Sequence, residues 1–385
     1  MNTPKVSVVI PCYNVENYLR QCLDSVVGQT LKDMEIICVN DGSKDGTLSI
    51  LQEYAAADPR VRIIDKPNGG YGESMNRGFD AATGEYLGIV ESDDYADPEM
   101  FQSLYDCAKT YDLDVVKAGF YYYYSKPEER NVPCPIASRV TSQRTFTPLT
   151  GFQSKMEMVE FFNIKPTIWS AIYRRDFIRA NHIRFHETPG ASYQDASFNF
   201  KVWVCAQRVR LLPQCFLHYR QDNEASSVNA PGKVYCICDE YDEMERFLLE
   251  HPVERAAVEP VMVRIKYDSY NWNYLRLSEP LQKEFIQRFH DDFQKHQLDG
   301  TLQQQYFEWY KWNTIQQILE DPQKYHDRHL RQEKGERVEE WNALPADDRP
   351  WLVRKLLGAV RCVRDHGLVY TLRLLVKKIA WRFGK

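Results

Sequence analysis

The feature that most constrains the fold is a series of apolar runs that alternate with helical patterns through the first 120 residues. Four of these runs have the length and composition of buried strands, namely residues 6–11, 34–39, 61–64 and 86–90. The first run ends at a proline, Pro11, as expected of a central parallel strand. Alternation at this rate predicts βαβ units with right-handed crossovers, and therefore an α/β fold with a mostly parallel sheet flanked by helices.

The fourth run leads directly into a short acidic segment, Glu91-Ser-Asp-Asp94, and Asp97-Pro98 then opens the next helix. Carboxylates at the end of a buried strand are costly unless positive charge lies among them. The carboxyl ends of the strands are also where ligands bind in an open α/β sheet. The segment therefore predicts a divalent cation that bridges an anionic ligand such as a diphosphate. The alternative is a polar loop in which Asp97 caps a helix.

Further polar groups follow the second and third strands. Asp41 ends the second strand and could accept a hydrogen bond from a nucleobase N–H, or could be an ordinary turn residue. The segment Asn68-Gly-Gly-Tyr-Gly72 allows close backbone approach ahead of a helix N-terminus, which favours anions. It follows the third strand and not the first, and the first strand leads to Pro-Cys-Tyr-Asn14. A nicotinamide-dependent oxidoreductase is therefore disfavoured.

Taken in order, these motifs resemble the nucleotide-sugar half of family 2 glycosyltransferases. The stretches that carry the resemblance are residues 6–14, 25–30, 35–47, 68–78 and 84–98. The resemblance implies the GT-A fold and an inverting, metal-dependent transfer from a nucleotide-diphospho sugar, in particular a UDP-sugar. The acceptor would be a hydroxyl of a glycan or lipid-linked molecule in cell-surface polysaccharide synthesis. The alternative is a catalytically silent nucleotide-sugar-binding protein of the same fold.

The resemblance also implies which residues bind the nucleoside. Pro11 and Tyr13 would hold the base, Tyr13 by stacking, and Asp41 would accept the base N–H. Asn68 and Gly72 would line the nucleoside.

For the diphosphate, the resemblance points to the acidic segment. Asp93 falls on the last position of the D-x-D motif and would bind Mn²⁺ or Mg²⁺. Ser92 would belong to the same donor site. The first carboxylate of the motif is Glu91 instead of Asp, which shifts its contact to ribose or metal, and Met75 stands where the family often has Arg.

The catalytic base is implied by Tyr193-Gln-Asp-Ala-Ser-Phe198, which resembles the Glu-Asp-x-x-Phe motif. Asp195 takes the base position, and Gln194 replaces the usual Glu. A single base carboxylate suits direct displacement with inversion, in which Asp195 deprotonates the acceptor hydroxyl. The alternative is an Asp that caps a helix.

Residues 218–227 resemble a late strand and loop of the family, where Arg220 and Ser226 would reach the diphosphate. His218 would complete the metal shell or would be a structural histidine. Residues 165–170 lie where these enzymes form the acceptor cleft. There Trp169 would stack on a sugar or belong to the core.

Composition limits the remaining possibilities. The net charge of −5 and the pI of about 6.0 argue against a protein that binds nucleic acid. The ten cysteines include no C-x-x-C pair, as expected in a reduced cytosolic protein. The beginning of the chain lacks the plan of a signal peptide, and no uncharged apolar run approaches the ~18–20 residues that span a bilayer. We therefore expect a cytoplasmic protein.

We expect residues 1–230 to form the GT-A domain, with a nucleotide-sugar half over 1–120 and an acceptor half over 121–230. Consecutive amphipathic helices over roughly 233–250, 256–275, 280–296 and 302–320 indicate a helical module over 231–345. Residues 346–385 form a basic amphipathic tail. This tail would bind the inner face of the cell membrane peripherally or pack on the helical module.

Overall fold

The structure is a computed structural model that describes residues 3–138, 141, 144–223, 233–336, 338 and 341. Ser226 and the predicted tail over 346–385 lie outside the described residues. Two compact units are present. The sheet unit comes from residues 1–151 and 164–254, and the helical unit comes from 152–163 and 255–385.

The sheet unit is built on nine strands within the described ranges. They are β1 (Val6–Cys12), β2 (Met34–Asp41), β3 (Val61–Lys66), β4 (Tyr86–Ile89), β5 (Tyr95–Ala96), β6 (Val115–Tyr124), β7 (Arg130–Cys134), β8 (Ala171–Arg174) and β9 (Val209–Arg220). Their order is β3-β2-β1-β4-β8-β6-β9-β5, and β7 pairs with β6. The first four strands are parallel, whereas β8 runs antiparallel to both of its neighbours. The predicted α/β class is confirmed.

Helices connect these strands and form the second unit. They are α1 (Leu19–Val27), α2 (Thr47–Ala57), α3 (Tyr71–Ala81), α4 (Met100–Thr110), α5 (Lys155–Phe162), α6 (Arg175–Ala180), α7 (Gln194–Cys205), α8 (Cys236–Leu249), α9 (Pro252–Arg276), α10 (Glu279–Leu298), α11 (Trp309–Glu320) and α12 (Pro322–Glu333). Helix α8 belongs to the sheet unit and α5 to the helical unit. The boundary between the GT-A domain and the helical module, predicted near residue 231, stays a prediction.

Strand β9 runs through Pro213, whereas the sequence pattern predicts two short strands here, over residues 208–212 and 215–219. The pairing with β6 shifts register here, because Leu211 lies opposite Lys117 while Cys215 lies opposite Gly119. The extra residues form a bulge that accommodates a proline, which has no N–H to donate to a sheet. The strand thus continues through Pro213, and residues 218–220 lie at its carboxyl end.

The amino ends of the strands are held together by one buried carboxylate, Glu35, which is 7% exposed. Its Oε1 accepts hydrogen bonds from the Ser7 hydroxyl (2.6 Å) and from the Thr83 amide (2.6 Å) and hydroxyl (2.8 Å). Its Oε2 accepts from Arg62 (2.9 Å). Burial acts to raise the pKa of Glu35, but the hydrogen bonds from Ser7, Thr83 and Arg62 outweigh it and the pKa is lowered.

The helical unit has its own core, in which aromatic side chains of α9 and α10 pack together. They are Tyr267, Tyr270, Phe285, Phe289 and Phe293. Across the described ranges, no helix has both the length and the apolar character needed to cross a membrane.

Candidate active site

The acidic segment lies at the carboxyl end of β4, as the sequence predicts. Glu91 accepts a hydrogen bond from the Tyr71 hydroxyl (2.7 Å), and Oδ1 of Asp94 accepts one from the backbone N–H of Arg220 (2.9 Å). The other oxygen, Oδ2 of Asp94, is buried and has no hydrogen-bond partner among the described residues. An ionised oxygen in this position is costly, because no donor or cation stabilises its charge directly.

The pKa values of these carboxyls are raised, because burial and the neighbouring carboxylates outweigh the positive charge nearby. Burial raises the pKa of Glu91 to about 8. The hydrogen bond from Tyr71 acts to lower this pKa, whereas the carboxylates of Asp93 and Asp195 raise it further. Burial and the Asp93 carboxylate likewise raise the pKa of Asp94 well above its ordinary value. Asp195, which is distant in sequence, therefore acts on the same site.

These residues fit a divalent cation in part. The donors are carboxylate oxygens, which Mg²⁺ and Mn²⁺ prefer, and Oδ2 of Asp94 leaves one of them unused. In the part of the chain that the structure describes, no three His, Cys, Asp or Glu side chains converge closely enough to hold a metal by themselves. Such an arrangement suits an ion that takes one or two ligands from the protein and the rest from substrate phosphates.

Arg220 brings a positive charge to the acidic segment from β9. Its Nε donates to the carbonyl oxygen of Asp93 (2.9 Å) and its Nη2 to Oε1 of Gln21 (2.5 Å). The guanidinium lies over the rings of Tyr18 and Tyr123, at 4.9 and 4.8 Å from their centroids. These contacts fix Arg220 beside Asp93, at the place where the predicted diphosphate would lie.

His218 also lies on β9, but both nitrogens of its ring are already used. Nδ1 lies 2.6 Å from Oδ1 of Asn131, and Nε2 lies 3.0 Å from Oδ1 of Asp97. The ring stacks between Tyr95 and Tyr121, with centroids 4.2 and 4.7 Å away. A metal at His218 would have to displace one of these partners, so its role as a ligand stays a prediction.

Asp41 lies at the centre of the predicted nucleoside side of the site. Its carboxylate accepts hydrogen bonds from Lys66, from the Asn68 side chain (3.1 Å) and from the amides of Gly69 (2.8 Å) and Gly70 (3.0 Å). Asp41 therefore fixes the glycine segment at the end of β2. A base N–H would have to replace one of these donors, and the base contact stays a prediction.

The loops that follow β1 and β2 are tied to each other. Asn14 has a left-handed backbone (φ 51°), and its side chain accepts a hydrogen bond from the Lys44 amide (2.8 Å). The Asn14 amide donates to the Ser43 hydroxyl (3.1 Å). Pro11 is buried in β1, whereas Tyr13 is 48% exposed. An exposed ring on a fixed loop suits the predicted stacking on a base.

A segment of the second half closes over the start of α3. A Cβ at Gly72 would lie 2.1 Å from the carbonyl oxygen of His186, so only glycine allows this contact. Gln194, which is 2% exposed, braces the same segment. Its Nε2 donates to the Thr188 hydroxyl (2.8 Å) and its Oε1 accepts from the Ser192 amide (2.5 Å). Nε2 also lies 3.4 Å from the carbonyl oxygen of Gly190, a contact that needs a donor, so an amide fits here better than a carboxylate.

Asp195 lies in the first turn of α7 and is only partly exposed. Burial raises the pKa of its carboxyl to about 7, and the buried Glu240 adds to the rise, while Lys165 and Lys117 oppose it. A carboxyl that titrates near neutrality is suited to general base catalysis.

Sequence reasoning missed several residues that shape this site. Lys117 is 1% exposed on β6 and donates a hydrogen bond to the carbonyl oxygen of Thr167. Burial lowers the pKa of Lys117 to about 7, although the negative charge of Asp195 acts to raise it. The sequence pattern also predicts a strand over residues 114–124, and a lysine inside such an apolar strand was the available signal. The sequence offered no such signal for Tyr71, which donates to Glu91, or for Asn223. The side chain of Asn223 donates to Oδ2 of Asp93 (2.8 Å).

Comparison with known proteins identifies the fold and the family. Residues 7–182 match the model for glycosyl transferase family 2. A glycosyl transferase family 2 domain therefore lies within residues 7–182. The chain is 35% identical over 230 residues to the uncharacterized glycosyltransferase EpsJ of Bacillus subtilis (strain 168), a match that covers 60% of this chain. It is 31% identical over 226 residues to the uncharacterized glycosyltransferase YibD of Escherichia coli (strain K12), which covers 59% of this chain.

The chain spans 64% of the length of each of these two relatives. Among solved structures, it is similar to S. aureus TarS 1–349 in complex with UDP-GlcNAc, with a TM-score of 0.66 and 19% identity. The similarity covers 90% of this chain and 98% of that one. The predicted family and the predicted GT-A fold with appended helices are both confirmed.

Proposed function

We propose that this chain is an inverting, metal-dependent glycosyltransferase that uses a UDP-sugar. It would transfer the sugar to a hydroxyl of a glycan or lipid-linked acceptor in cell-surface polysaccharide synthesis. The observation that carries the proposal is the unpartnered Oδ2 of Asp94 in an acidic turn that also faces Arg220 and Asp195. The UDP-GlcNAc bound to TarS supports the choice of donor.

Asp93, with His218 if its ring is released, would hold Mn²⁺ or Mg²⁺. When bound, the ion neutralises charge that develops on the departing diphosphate. Arg220, fixed beside Asp93, would bind the same diphosphate, and Ser226 is the further predicted contact.

Asp195 performs the proton transfer in this proposal. Its carboxylate takes the proton of the acceptor hydroxyl while the oxygen attacks the anomeric carbon. The bond from that carbon to the diphosphate oxygen breaks, and its electron pair leaves with the diphosphate. Attack from the opposite face inverts the configuration.

On the nucleoside side, Tyr13 would stack on the base beside Pro11, and Asp41 would accept a base N–H. Asn68 and Gly72 would line the nucleoside, and Glu91 with Ser92 would contact the ribose or the metal. A membrane-linked acceptor would suit a protein that works at the inner face of the cell membrane through residues 346–385.

The test is a screen of UDP-sugars, with and without Mn²⁺, by thermal stabilisation and by release of UDP in the presence of acceptors. We expect one UDP-sugar to raise the melting temperature more with Mn²⁺ than without it, and to be turned over. Stabilisation without any release of UDP, with all acceptors tried, would favour the silent binding protein. Gln194, which stands where the motif usually has Glu, has a structural role of its own, because its amide binds Thr188, Ser192 and the carbonyl oxygen of Gly190.

A further inference from the structure

Lys165 lies on an aromatic surface within electrostatic range of the proposed base, and it has no carboxylate partner among the described residues. Its Nζ is 4.5 Å from the ring centroid of Tyr219, 5.1 Å from that of Tyr122 and 5.7 Å from that of Phe120. The residue itself is exposed. Its backbone is held in a turn, because the Thr167 amide donates to the Lys165 carbonyl oxygen (2.7 Å). The ammonium is therefore positioned over the rings and also open to a ligand.

The aromatic surface beneath Lys165 is built on the sheet. Tyr122 on β6 and Tyr219 on β9 are paired residues of adjacent strands. Trp169, which is 6% exposed, packs edge-on against Phe120 (5.0 Å) and tilted against Tyr219 (5.1 Å). Trp169 is thus part of the core and supports the surface from behind. The rings of Tyr122 and Tyr219 are only partly covered, and such rings suit contact with a sugar face.

Lys165 differs in its charge balance from Lys66 and Lys201, two buried lysines of the sheet unit. Lys66 pairs with Asp41, and Lys201 pairs with Glu243. Among the described residues, no carboxylate lies within ion-pair distance of Lys165, and its ammonium makes no hydrogen bond to the protein. Although the residue is exposed overall, desolvation of its ammonium lowers the pKa of Lys165. The carboxylates of Asp195 and Asp94 oppose this shift, so both lie within electrostatic range of the ammonium.

We propose that Lys165 binds an acidic group, a phosphate or a carboxylate, carried by the acceptor next to the hydroxyl that is glycosylated. The inference rests on the proposed transfer function, because Asp195 marks the place of that hydroxyl. The donor diphosphate already has Arg220 and the predicted cation. An acceptor with an oxyanion and a sugar or polyol face would match both the ammonium and the rings.

The experiment compares wild type with Lys165→Ala and Lys165→Arg by calorimetric binding in the presence of UDP and Mn²⁺. The probes are a glycerol-phosphate trimer, an oligosaccharide that ends in glucuronic acid, and a neutral oligosaccharide of the same length. We expect wild type to bind one of the two acidic probes, and Lys165→Ala to weaken that binding about 10- to 100-fold, as for loss of a charged hydrogen bond. Which acidic probe binds distinguishes phosphate from carboxylate.

The controls separate this inference from the proposed function. Lys165→Arg should retain most of the binding. Lys32→Ala, an exposed lysine before the amino end of β2, should leave it unchanged. Equal binding of acidic and neutral probes by wild type, or equal binding by Lys165→Ala and wild type, would overturn the inference. Weaker UDP binding in Lys165→Ala would also overturn it, since Lys165 would then contact the donor. Failure of wild type to bind UDP or release it from any UDP-sugar would instead refute the proposed function.

Discussion

The buried carboxylates at the two ends of the parallel strands differ in their hydrogen-bond partners and in their pKa values. At the amino ends, Glu35 accepts hydrogen bonds from Ser7, Thr83 and Arg62, and its pKa is lowered. At the carboxyl ends, Asp94 has an oxygen without a partner, and burial raises its pKa well above the ordinary value. Both carboxyls are almost fully buried, at 7% and 1% exposed. Depth alone therefore does not explain the difference.

The difference lies in what the protein supplies as partners. The amino edge gives Glu35 all its partners from within the fold, so this carboxylate stabilises the protein by itself. The carboxyl edge leaves room for a ligand that brings positive charge or hydrogen-bond donors. Carboxylates at the amino edge should therefore matter for folding, and those at the carboxyl edge for activity. Four predictions test this division.

The largest effect is expected from Asp195→Asn, which keeps the shape of the side chain and removes the base. The rate of transfer should fall about 10²- to 10⁴-fold, the usual contribution of a general base. Melting temperature and affinity for UDP should stay close to wild type. The measurement is UDP release under saturating donor and acceptor. Asp106→Asn, an exposed aspartate on α4, serves as the control and should keep full activity. A full rate in Asp195→Asn would refute the base assignment.

The next effect concerns the amino edge. Glu35→Gln should lower the free energy of unfolding by about 2–3 kcal/mol, because the buried carboxylate loses its charged hydrogen bonds and the new amide group places a donor among donors. Chemical denaturation at pH 7 measures this change. Affinity for UDP, measured below the unfolding transition, should not change. A loss of UDP affinity without a loss of stability would contradict the division between the two edges.

The pH dependence of Glu35 gives a further check on the same variant. Its pKa is lower in the folded protein than the ordinary value of 4.5, so its contribution to stability is present above about pH 4.5. That contribution is lost as the pH falls through the folded pKa. The difference in stability between wild type and Glu35→Gln should therefore narrow below pH 4.5.

A smaller effect is expected in the pH profile of the transfer reaction. The pKa of Asp195 is about 7, and the proposed base must be ionised, so the rate should rise with pH with a midpoint near pH 7. At pH 6 it should be about tenfold below its maximum, since each pH unit below the pKa reduces the ionised fraction tenfold. Glu240→Gln removes a carboxylate that raises this pKa and should move the midpoint to lower pH. An unchanged midpoint in Glu240→Gln would show that Glu240 does not act on Asp195.

Sequence patterns predict the strands and the edge where the site lies, because burial and turn chemistry are local signals. Asp93 and Arg220 were predicted from motifs, and the structure brings them together. Partners distant in sequence could not be predicted: Gln194 appeared to weaken the catalytic motif, yet it braces residues 188–192. The same limit applies to His218, whose two ring partners lie on other segments of the chain.

The smallest effect on stability is expected from a substitution at Asp94, the carboxyl-edge carboxylate that is compared with Glu35. Asp94→Asn keeps Oδ1 as an acceptor for the Arg220 amide and removes the charge from an oxygen that has no partner. Without metal or UDP, stability should stay within about 1 kcal/mol of wild type or rise, because an unpaired buried charge is lost. Denaturation of both proteins in EDTA measures this difference. With UDP and Mn²⁺ present, wild type should gain more stability than the variant, since only the carboxylate attracts the cation. A loss in EDTA as large as that of Glu35→Gln would mean that Asp94, like Glu35, is satisfied by the fold itself, and that the two edges do not differ in kind.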